Sequence, residues 1–578
     1  MKRLAAGLSI RSKSMRIDVW KRLLTTIYEN ESLVETLIAS MQERFAGYAC
    51  PDRKAQWLSE RDSVLITYGD TLKCRGEKGL ATLKRFLDAE VGTAISTVHI
   101  LPMFPFTSDD GFSVVDYHAI NPKLGDWNDI KLLGQQYHLM FDAVVNHVSQ
   151  EHAWFKAFLR GEEPYVHYFI TGNPEDDYSS VTRARMHPLL TPFKRQDGTI
   201  VHVWTTFSDD QVDLNYACPD VLLEILVVLL SYANKGAKII RLDAVGFLWK
   251  ELGTTCMHLP KAHAIIKLMR VILEDYAPGT LLITETNVPQ HENLTYFGEG
   301  DEAHLVYQFP LAPLIMFTLL SGNSERLCTW LKTLPVPRQG TTYFNFLSSH
   351  DGIGLRPVDA LLSDKQRESL IACTLRNGGS VSYKANGNGT KTAYELNINY
   401  QDALSSPDED DAVRIAKFML SQTILLSLQG LPGIYIHSLL GSRNDYYGRA
   451  VSGIARRINR EQLDYEVLQE ALHNKSNRNR IFSEYIRTLS LRRTHAAFAV
   501  ESPQEIICFD QRIFCVKRWA TDGSEIVYAL FNVSSEEVRL EDSRLEGVDI
   551  LHAKPVGPSM NLQPYEYRWI VSQQNDIG

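Results

Sequence analysis

The segment Ala237-Lys-Ile-Ile-Arg-Leu-Asp-Ala-Val245 constrains the fold of this chain more than any other stretch. It is an apolar run that ends in a charged pair, Arg241 and Asp243. Near-continuous apolar sequence marks a parallel strand buried on both faces. Charges at the end of such a strand are costly unless that end opens into a site. Side chains alternate along a strand, so Arg241 and Asp243 point the same way. A cation beside a carboxylate favours its ionised form and fixes its direction, which is what a carboxylate nucleophile requires. A structural ion pair at a strand end is the alternative that this segment, taken alone, leaves open.

Three further segments decide between the two. Thr280-Leu-Leu-Ile-Thr-Glu-Thr-Asn287 ends in Glu285. His138-Leu-Met-Phe-Asp-Ala-Val-Val-Asn-His147 ends in Asn146 and His147, and Tyr343-Phe-Asn-Phe-Leu-Ser-Ser-His-Asp-Gly352 in His350 and Asp351. Apolar strands that each deliver polar groups at the C-terminal end predict an α/β fold, the TIM (β/α)8 barrel, in which those ends converge. Two carboxylates there, one nucleophile and one acid/base, suit retaining chemistry at a glycosidic carbon.

The remaining strands follow the same rhythm: Val64–Tyr68, Thr97–Met103, Leu305–Phe309 and Pro432–Ile436. Residues 1–60 read as an N-terminal helical segment, with Trp20, Leu23, Leu24, Ile27 and Tyr28 at helical spacing. The barrel is expected over 61–147 and 206–495. Residues 148–205 are too long and polar for a bare connection and read as a small inserted domain after strand three. Residues 375–405 interrupt the barrel again, with turn chemistry at Asn386-Gly-Asn-Gly-Thr390. Short alternating strands over 496–578 predict a C-terminal antiparallel β domain.

At 578 residues the chain is long enough for a barrel with accessory domains, and a net charge of −9 without a basic block argues against nucleic acid. The eight cysteines form no CxxC pair, so they read as free thiols of a cytoplasmic protein. The N-terminal apolar run is short and interrupted by Arg11 and Lys13, unlike a signal peptide, and no stretch approaches a membrane span. There is no clustered Asp/Asn set for calcium, no strand-linked GxGxxG and no P-loop. The expectation is therefore no metal and no cofactor, in a monomer or homodimer.

Asp142-Ala-Val-Val-Asn-His147, Arg241-Leu-Asp-Ala244, Ile283-Thr-Glu-Thr286 and Ser348-Ser-His-Asp351 together resemble the four strand-end signatures of the α-amylase superfamily, glycoside hydrolase family 13. The resemblance implies Asp243 as nucleophile, Glu285 as general acid/base and Asp351 as transition-state stabiliser. Arg241, His147 and His350 would hold the glucosyl ring and the carboxylates. Ser108-Asp-Asp-Gly-Phe-Ser-Val-Val-Asp-Tyr117, Phe207-Ser-Asp-Asp-Gln-Val-Asp213, Lys250-Glu-Leu-Gly-Thr-Thr-Cys256, His350-Asp-Gly-Ile-Gly354 and Gly441-Ser-Arg-Asn-Asp445 look like the sucrose phosphorylase branch, closest to phosphorylases of glucosylglycerol and glucosylglycerate.

That likeness assigns Asp109 to the outer glucose hydroxyls, Phe112 and Phe247 to aromatic platforms, and Arg185 to phosphate. It puts Gln211 and the loop Arg443, Asn444, Asp445 on the acceptor side, and Arg460 at glucose. Asp142 is expected to orient rather than catalyse, and Asp116 and Asp213 to be structural. The implied reaction is retaining phosphorolysis to α-D-glucose 1-phosphate, with phosphate resolving a covalent glucosyl-enzyme. Phosphate needs a cationic cradle, and Arg183 and Arg185 can provide one. For the acceptor, glycerol is placed slightly ahead of glycerate, with sucrose-type acceptors third. A plain retaining α-glucosidase or transglucosidase is the outside alternative.

Overall fold

A computed structural model describes residues 16–48, 57–185, 187–385 and 390–572. The N-terminal stretch to residue 15, Cys50 and the turn at 386–389 lie outside the described residues. The barrel strands are β1 (Val64–Thr67), β2 (Thr97–Ile100), β3 (His138–Val144), β4 (Ala237–Asp243), β5 (Leu281–Thr284), β6 (Leu305–Tyr307), β7 (Thr342–Phe346) and β8 (Leu431–Tyr435). They close in the order β1-β8-β7-β6-β5-β4-β3-β2, so each strand lies beside its sequence neighbours. This is the expected (β/α)8 barrel. Among the described residues no helix is long and apolar enough to cross a membrane.

The strands are shorter than the apolar runs that predict them. β3 stops at Val144, and His147 opens a separate strand, His147–Ser149, paired antiparallel with Gln211–Asp213. The expectation that strand three runs to His147 is corrected here. Asn146 leaves the ladder because its amide serves two buried partners, donating to Asp213 and accepting from Lys250.

The chain divides into two compact units. The first contains Met1–Trp57, Ile100–Thr286 and Leu294–Val306. Within it β4 pairs in parallel with β3 and β5, in a register that sets Asp142 beside Arg241 and Val144 beside Asp243. Helices Pro219–Asn234 and Pro260–Tyr276 each begin with proline, whose missing N–H costs nothing at a first helical position. The helix Glu31–Phe45 is capped by the Asn30 side chain and buries Val34, Leu37, Ile38, Met41 and Phe45 along one stripe. Arg44 of that helix meets Glu224 at 2.8 Å. The segment after β3 holds the helix Ala153–Arg160 and a hairpin, Leu190–Lys194 with Ile200–Trp204, closed through Gly198 at φ 88°.

The second unit contains Leu58–His99, Asn287–Asn293 and Tyr307–Gly578. Its C-terminal part is a six-stranded sheet in the order Gln504–Asp510, Ile513–Trp519, Ile526–Asn532, Tyr567–Ser572, Gly547–Asp549, Lys554–Val556. A separate pair, Val538–Glu541 with Ser559–Leu562, escaped the sequence reading because each strand has only four residues. Its Val538, Leu540, Met560 and Leu562 join Ile513, Tyr528, Leu530 and Ile570 in one core. Two fully buried arginines knit this unit. Arg492 donates to the carbonyls of Leu426, Glu60, Asp62 and Phe498, and Arg518 to those of Ser427, Ala499, Ser502 and Pro503. Burial pushes the Arg518 guanidinium down to about 9, so the carbonyl set is what makes its charge tolerable. A third sheet joins Ile353–Gly354 to the hairpin Ser380–Ala385 and Lys391–Asn397.

Candidate active site

In the first unit the site is organised around Arg241, which is 3% exposed. Its NH1 donates to Asp243 Oδ1 at 2.9 Å and also to Asp142 Oδ1, while NH2 lies 3.9 Å from Glu285 Oε2. The register explains this convergence: Asp142 and Ile283 flank Arg241 on β3 and β5, and Asp243 is two residues on along the same face. Arg241 is therefore the shared counter-ion of both expected catalytic carboxylates. Asp142 is buried at 1% and fixes the guanidinium from behind, the orienting role expected of it.

Backbone strain marks the same spot. Ala244, directly after Asp243, is left-handed at φ 52°. A non-glycine residue there costs on the order of 1 kcal/mol and persists only where surroundings enforce it. The Ala244 N–H here lies 3.4 Å from Glu285 Oε2.

A second cluster forms around Asp109, whose backbone is also left-handed at φ 52°. Asp109 Oδ2 accepts from Arg185 NH2 at 3.2 Å and from Gln211 Nε2 at 3.3 Å. Gln211 also donates to the Phe112 carbonyl at 3.2 Å, and its Oε1 accepts from Ser208. The Gln211 amide is thus committed to positioning Asp109 and Phe112, a different role from the acceptor contact expected of it. His147 Nε2 donates to the same Phe112 carbonyl at 2.9 Å, which leaves Nδ1 facing the Asn146 amide. Burial pushes the His147 pKa down, so the ring is neutral at pH 7 and offers hydrogen bonds rather than charge.

Phe112 and Phe247, the two aromatic residues expected as platforms, both make ring contacts in this unit. The Phe112 ring lies 5.5 Å from the Arg241 guanidinium, and Phe247 meets Phe207 edge to face at 5.4 Å. Phe207 was missed as a site residue. It also contacts His147 at 5.2 Å and the Arg185 guanidinium at 5.8 Å. Its place in the Phe207-Ser-Asp-Asp motif was the available signal. Arg183 instead donates to the His187 carbonyl and stays within its own loop.

Lys250 underlies this cluster. Its side chain is 4% exposed and pairs with fully buried Asp213 at 2.7 Å and with Asn146 Oδ1 at 2.8 Å. Asp213 further accepts from the Thr206 N–H and hydroxyl and from Asn146. Asp116 accepts from the His118 N–H in a turn. Removing one partner of a buried ion pair strands the other charge. Lys250→Ala is expected to cost about 3 kcal/mol or more, read as a lower denaturation midpoint. A midpoint within error of the parent would show that Asp213 does not depend on Lys250.

In the second unit Asp351 and His350 follow β7. Asp351 Oδ1 accepts from Arg456 NH1 at 2.5 Å, with Arg460 NH2 at 3.8 Å, and Oδ2 lies 3.6 Å from His350 Nε2. Arg460 Nε donates to the His350 carbonyl at 2.6 Å and its guanidinium sits 5.8 Å from the Tyr68 ring. Tyr68 stands edge-on to His350 at 5.9 Å. Arg456 was missed by sequence reasoning although Arg460, four residues on, was found.

The Arg443–Asp445 loop divides by role. Asp445 caps the helix Tyr446–Ser452, accepting from Gly448 N at 2.8 Å. Asn444 accepts from Asn399 N at 2.8 Å and donates to the Asn377 carbonyl, so its amide ties three loops. Both were expected to line the acceptor side; their side chains are spent on shaping the loop. Arg443 differs. Its Nε is pinned to Asp402 Oδ1 at 2.6 Å, its side chain is 48% exposed, and among the described residues its NH1 and NH2 have no partner. It is a cation held in place with a free fork.

Among the described residues no group of three or more His, Cys, Asp or Glu side chains could hold a metal ion. Among the described residues the seven cysteines are unbridged.

Residues 90–351 match the family model described as alpha amylase, catalytic domain. The chain is 44% identical over 521 residues to the glucosylglycerate phosphorylase of Escherichia coli (strain K12), covering 90% of this chain and 93% of that protein. It is 29% identical over 418 residues to the glucosylglycerol phosphorylase of Marinobacter adhaerens (strain DSM 23420 / HP15), covering 70% and 82%. The crystal structure of sucrose 6F-phosphate phosphorylase from Thermoanaerobacter thermosaccharolyticum matches with a TM-score of 0.72 at 25% identity, over 82% of this chain and 94% of that one.

Proposed function

The chain belongs to the alpha-amylase family, glycoside hydrolase family 13, and from that premise we propose that it is a retaining phosphorylase of α-D-glucosylglycerate. The observation that carries the proposal is the 44% identity to a glucosylglycerate phosphorylase across 90% of the chain. This reverses the order read from the sequence, which set glycerol slightly ahead of glycerate. The glucosylglycerol phosphorylase shares only 29%.

Asp243 attacks the anomeric carbon while Glu285 gives the leaving oxygen its proton. Arg241 holds both carboxylates from one side and Asp142 holds Arg241. Asp351 stabilises the cationic sugar ring. Phosphate then attacks the glucosyl ester, the bond to Asp243 breaks, and the phosphate proton passes to Glu285. Two inversions leave α-D-glucose 1-phosphate.

Arg185 suits the phosphate step because, among the described residues, its guanidinium makes one hydrogen bond, of 3.2 Å to Asp109, beside its contact with the Phe207 ring. Glucose hydroxyls that occupy Asp109 release the arginine for phosphate. Arg443 suits the glycerate carboxylate, because its free NH1–NH2 edge matches a carboxylate bidentately. Glycerol offers no such charge. Arg443→Ala is expected to raise the KM for glycerate about 10- to 100-fold, the value of a charged hydrogen bond, with little change for glycerol. Equal effects on both acceptors would remove Arg443 from carboxylate recognition. The unbridged thiols favour a reducing compartment, the cytoplasm.

The test is phosphate release from α-D-glucose 1-phosphate with glycerate, glycerol, fructose or water alone. Glycerate is expected to be the fastest acceptor. Faster release with glycerol would restore the order read from the sequence, and equal release in water would return a plain α-glucosidase.

A further inference from the structure

Arg456 sits in the short helical turn Ala455–Asn459, and its guanidinium is a bridge. Nε and NH2 fork onto Glu395 Oε1 and Oε2 at 3.0 and 2.6 Å. NH1 reaches Asp351 Oδ1 at 2.5 Å. The Glu395 side chain is 2% exposed, and a bare carboxylate at that depth is costly. A hydrophobic residue would serve the hairpin better if packing were its only role.

The chain makes room for this arrangement. A Cβ on Gly352, the residue after Asp351, would lie 2.6 Å from Glu395 Cγ and 2.6 Å from the Leu396 carbonyl oxygen. The hairpin strand Lys391–Asn397 therefore lies directly against the Asp351 turn. Ile353–Gly354 continues that approach, pairing with Leu396 and Glu395. The Asp351 turn is fixed separately by Asn459, whose amide donates to the Ser349 carbonyl at 2.7 Å. The backbone is thus already held, and the Arg456 fork acts on the carboxylate itself.

A two-point fork fixes the plane and direction of a guanidinium, which a lysine ammonium cannot do. With Nε and NH2 committed to Glu395, NH1 can only point at Asp351. We propose that Arg456, locked by Glu395, is a positioning residue that sets the direction of the Asp351 carboxylate for its contact with the sugar in the transition state. Arg460 NH2 and His350 Nε2 lie farther from that carboxylate than Arg456 NH1, at 3.8 and 3.6 Å. This inference rests on the reading of Asp351 as transition-state stabiliser.

The full-length enzyme carrying Arg456→Ala is expected to lose about 100-fold in kcat for phosphorolysis with the KM for phosphate changed less than about threefold, the signature of an interaction made in the transition state. Guanidinium chloride at tens of millimolar is expected to restore about 10-fold of that loss, while sodium chloride at equal ionic strength restores none. Arg456→Lys keeps the charge without the fork and should remain impaired. Glu395→Gln keeps the volume and is expected to lower kcat about 10-fold; it decides the matter if Arg456→Ala does not fold. Unchanged kcat in Glu395→Gln, or a folded Arg456→Ala that guanidinium does not rescue, would overturn the inference. Asp351→Asn separates the two layers. If it stays active, the reading of Asp351 fails. If it is inactive while Arg456→Ala keeps its kcat, only the positioning role fails.

Discussion

Asp243→Asn is expected to lower phosphorolysis of α-D-glucosylglycerate by about 10⁴-fold or more, because the covalent route needs a carboxylate at that atom. The amide is nearly isosteric, so the loss is chemical rather than structural. Arg241 keeps its buried bond to Asp142, and β4 keeps its pairing on both sides. Protein yield and melting behaviour should therefore match the parent. Both directions of the reaction pass through the same ester, so synthesis from α-D-glucose 1-phosphate should fall equally. Activity within tenfold of the parent would refute the nucleophile assignment, since about 1.4 kcal/mol of lost stabilisation cannot represent removal of a bond-forming group.

Glu285→Gln should lower phosphorolysis about 10²- to 10⁴-fold, the usual value of positioned proton transfer. This loss is selective. Glycerate leaves as an alkoxide unless it is protonated, whereas α-glucosyl fluoride leaves without a proton. The variant is expected to recover formation of the glucosyl-enzyme with the fluoride and to remain slow with glucosylglycerate. A loss of equal size for both donors would mean that Glu285 does something other than proton transfer. Its surroundings are defined for that role, because Oε2 faces the Ala244 N–H at 3.4 Å and Arg241 at 3.9 Å.

Much of this arrangement is legible in the chain. The β4 segment carries its fold and its chemistry in adjacent residues, and strand periodicity alone places Arg241 and Asp243 on one face. The bond from Arg241 to Asp142 is less local, because it depends on the register between β3 and β4. The bonds of Gln211 to Asp109 and the Phe112 carbonyl could not be read from the chain, because both partners are about 100 positions upstream. Arg456 is the extreme case. Glu395 is 61 positions before it and Asp351 is 105, and only the folded hairpin brings the three together. The choice of acceptor was illegible for a different reason. In the proposed function it turns on one exposed cation, Arg443, and a single charge in a loop has no periodicity to read.

In the proposed reaction phosphate resolves a glucosyl ester on Asp243. The anomeric configuration of the glucose 1-phosphate released in the first turnovers tests it most directly, by phosphorus and proton NMR of the enzyme with glucosylglycerate and phosphate. Double displacement predicts the α-anomer alone, with no free glucose in excess of the water reaction. The β-anomer would mean a single displacement by phosphate, and would contradict the covalent role of Asp243.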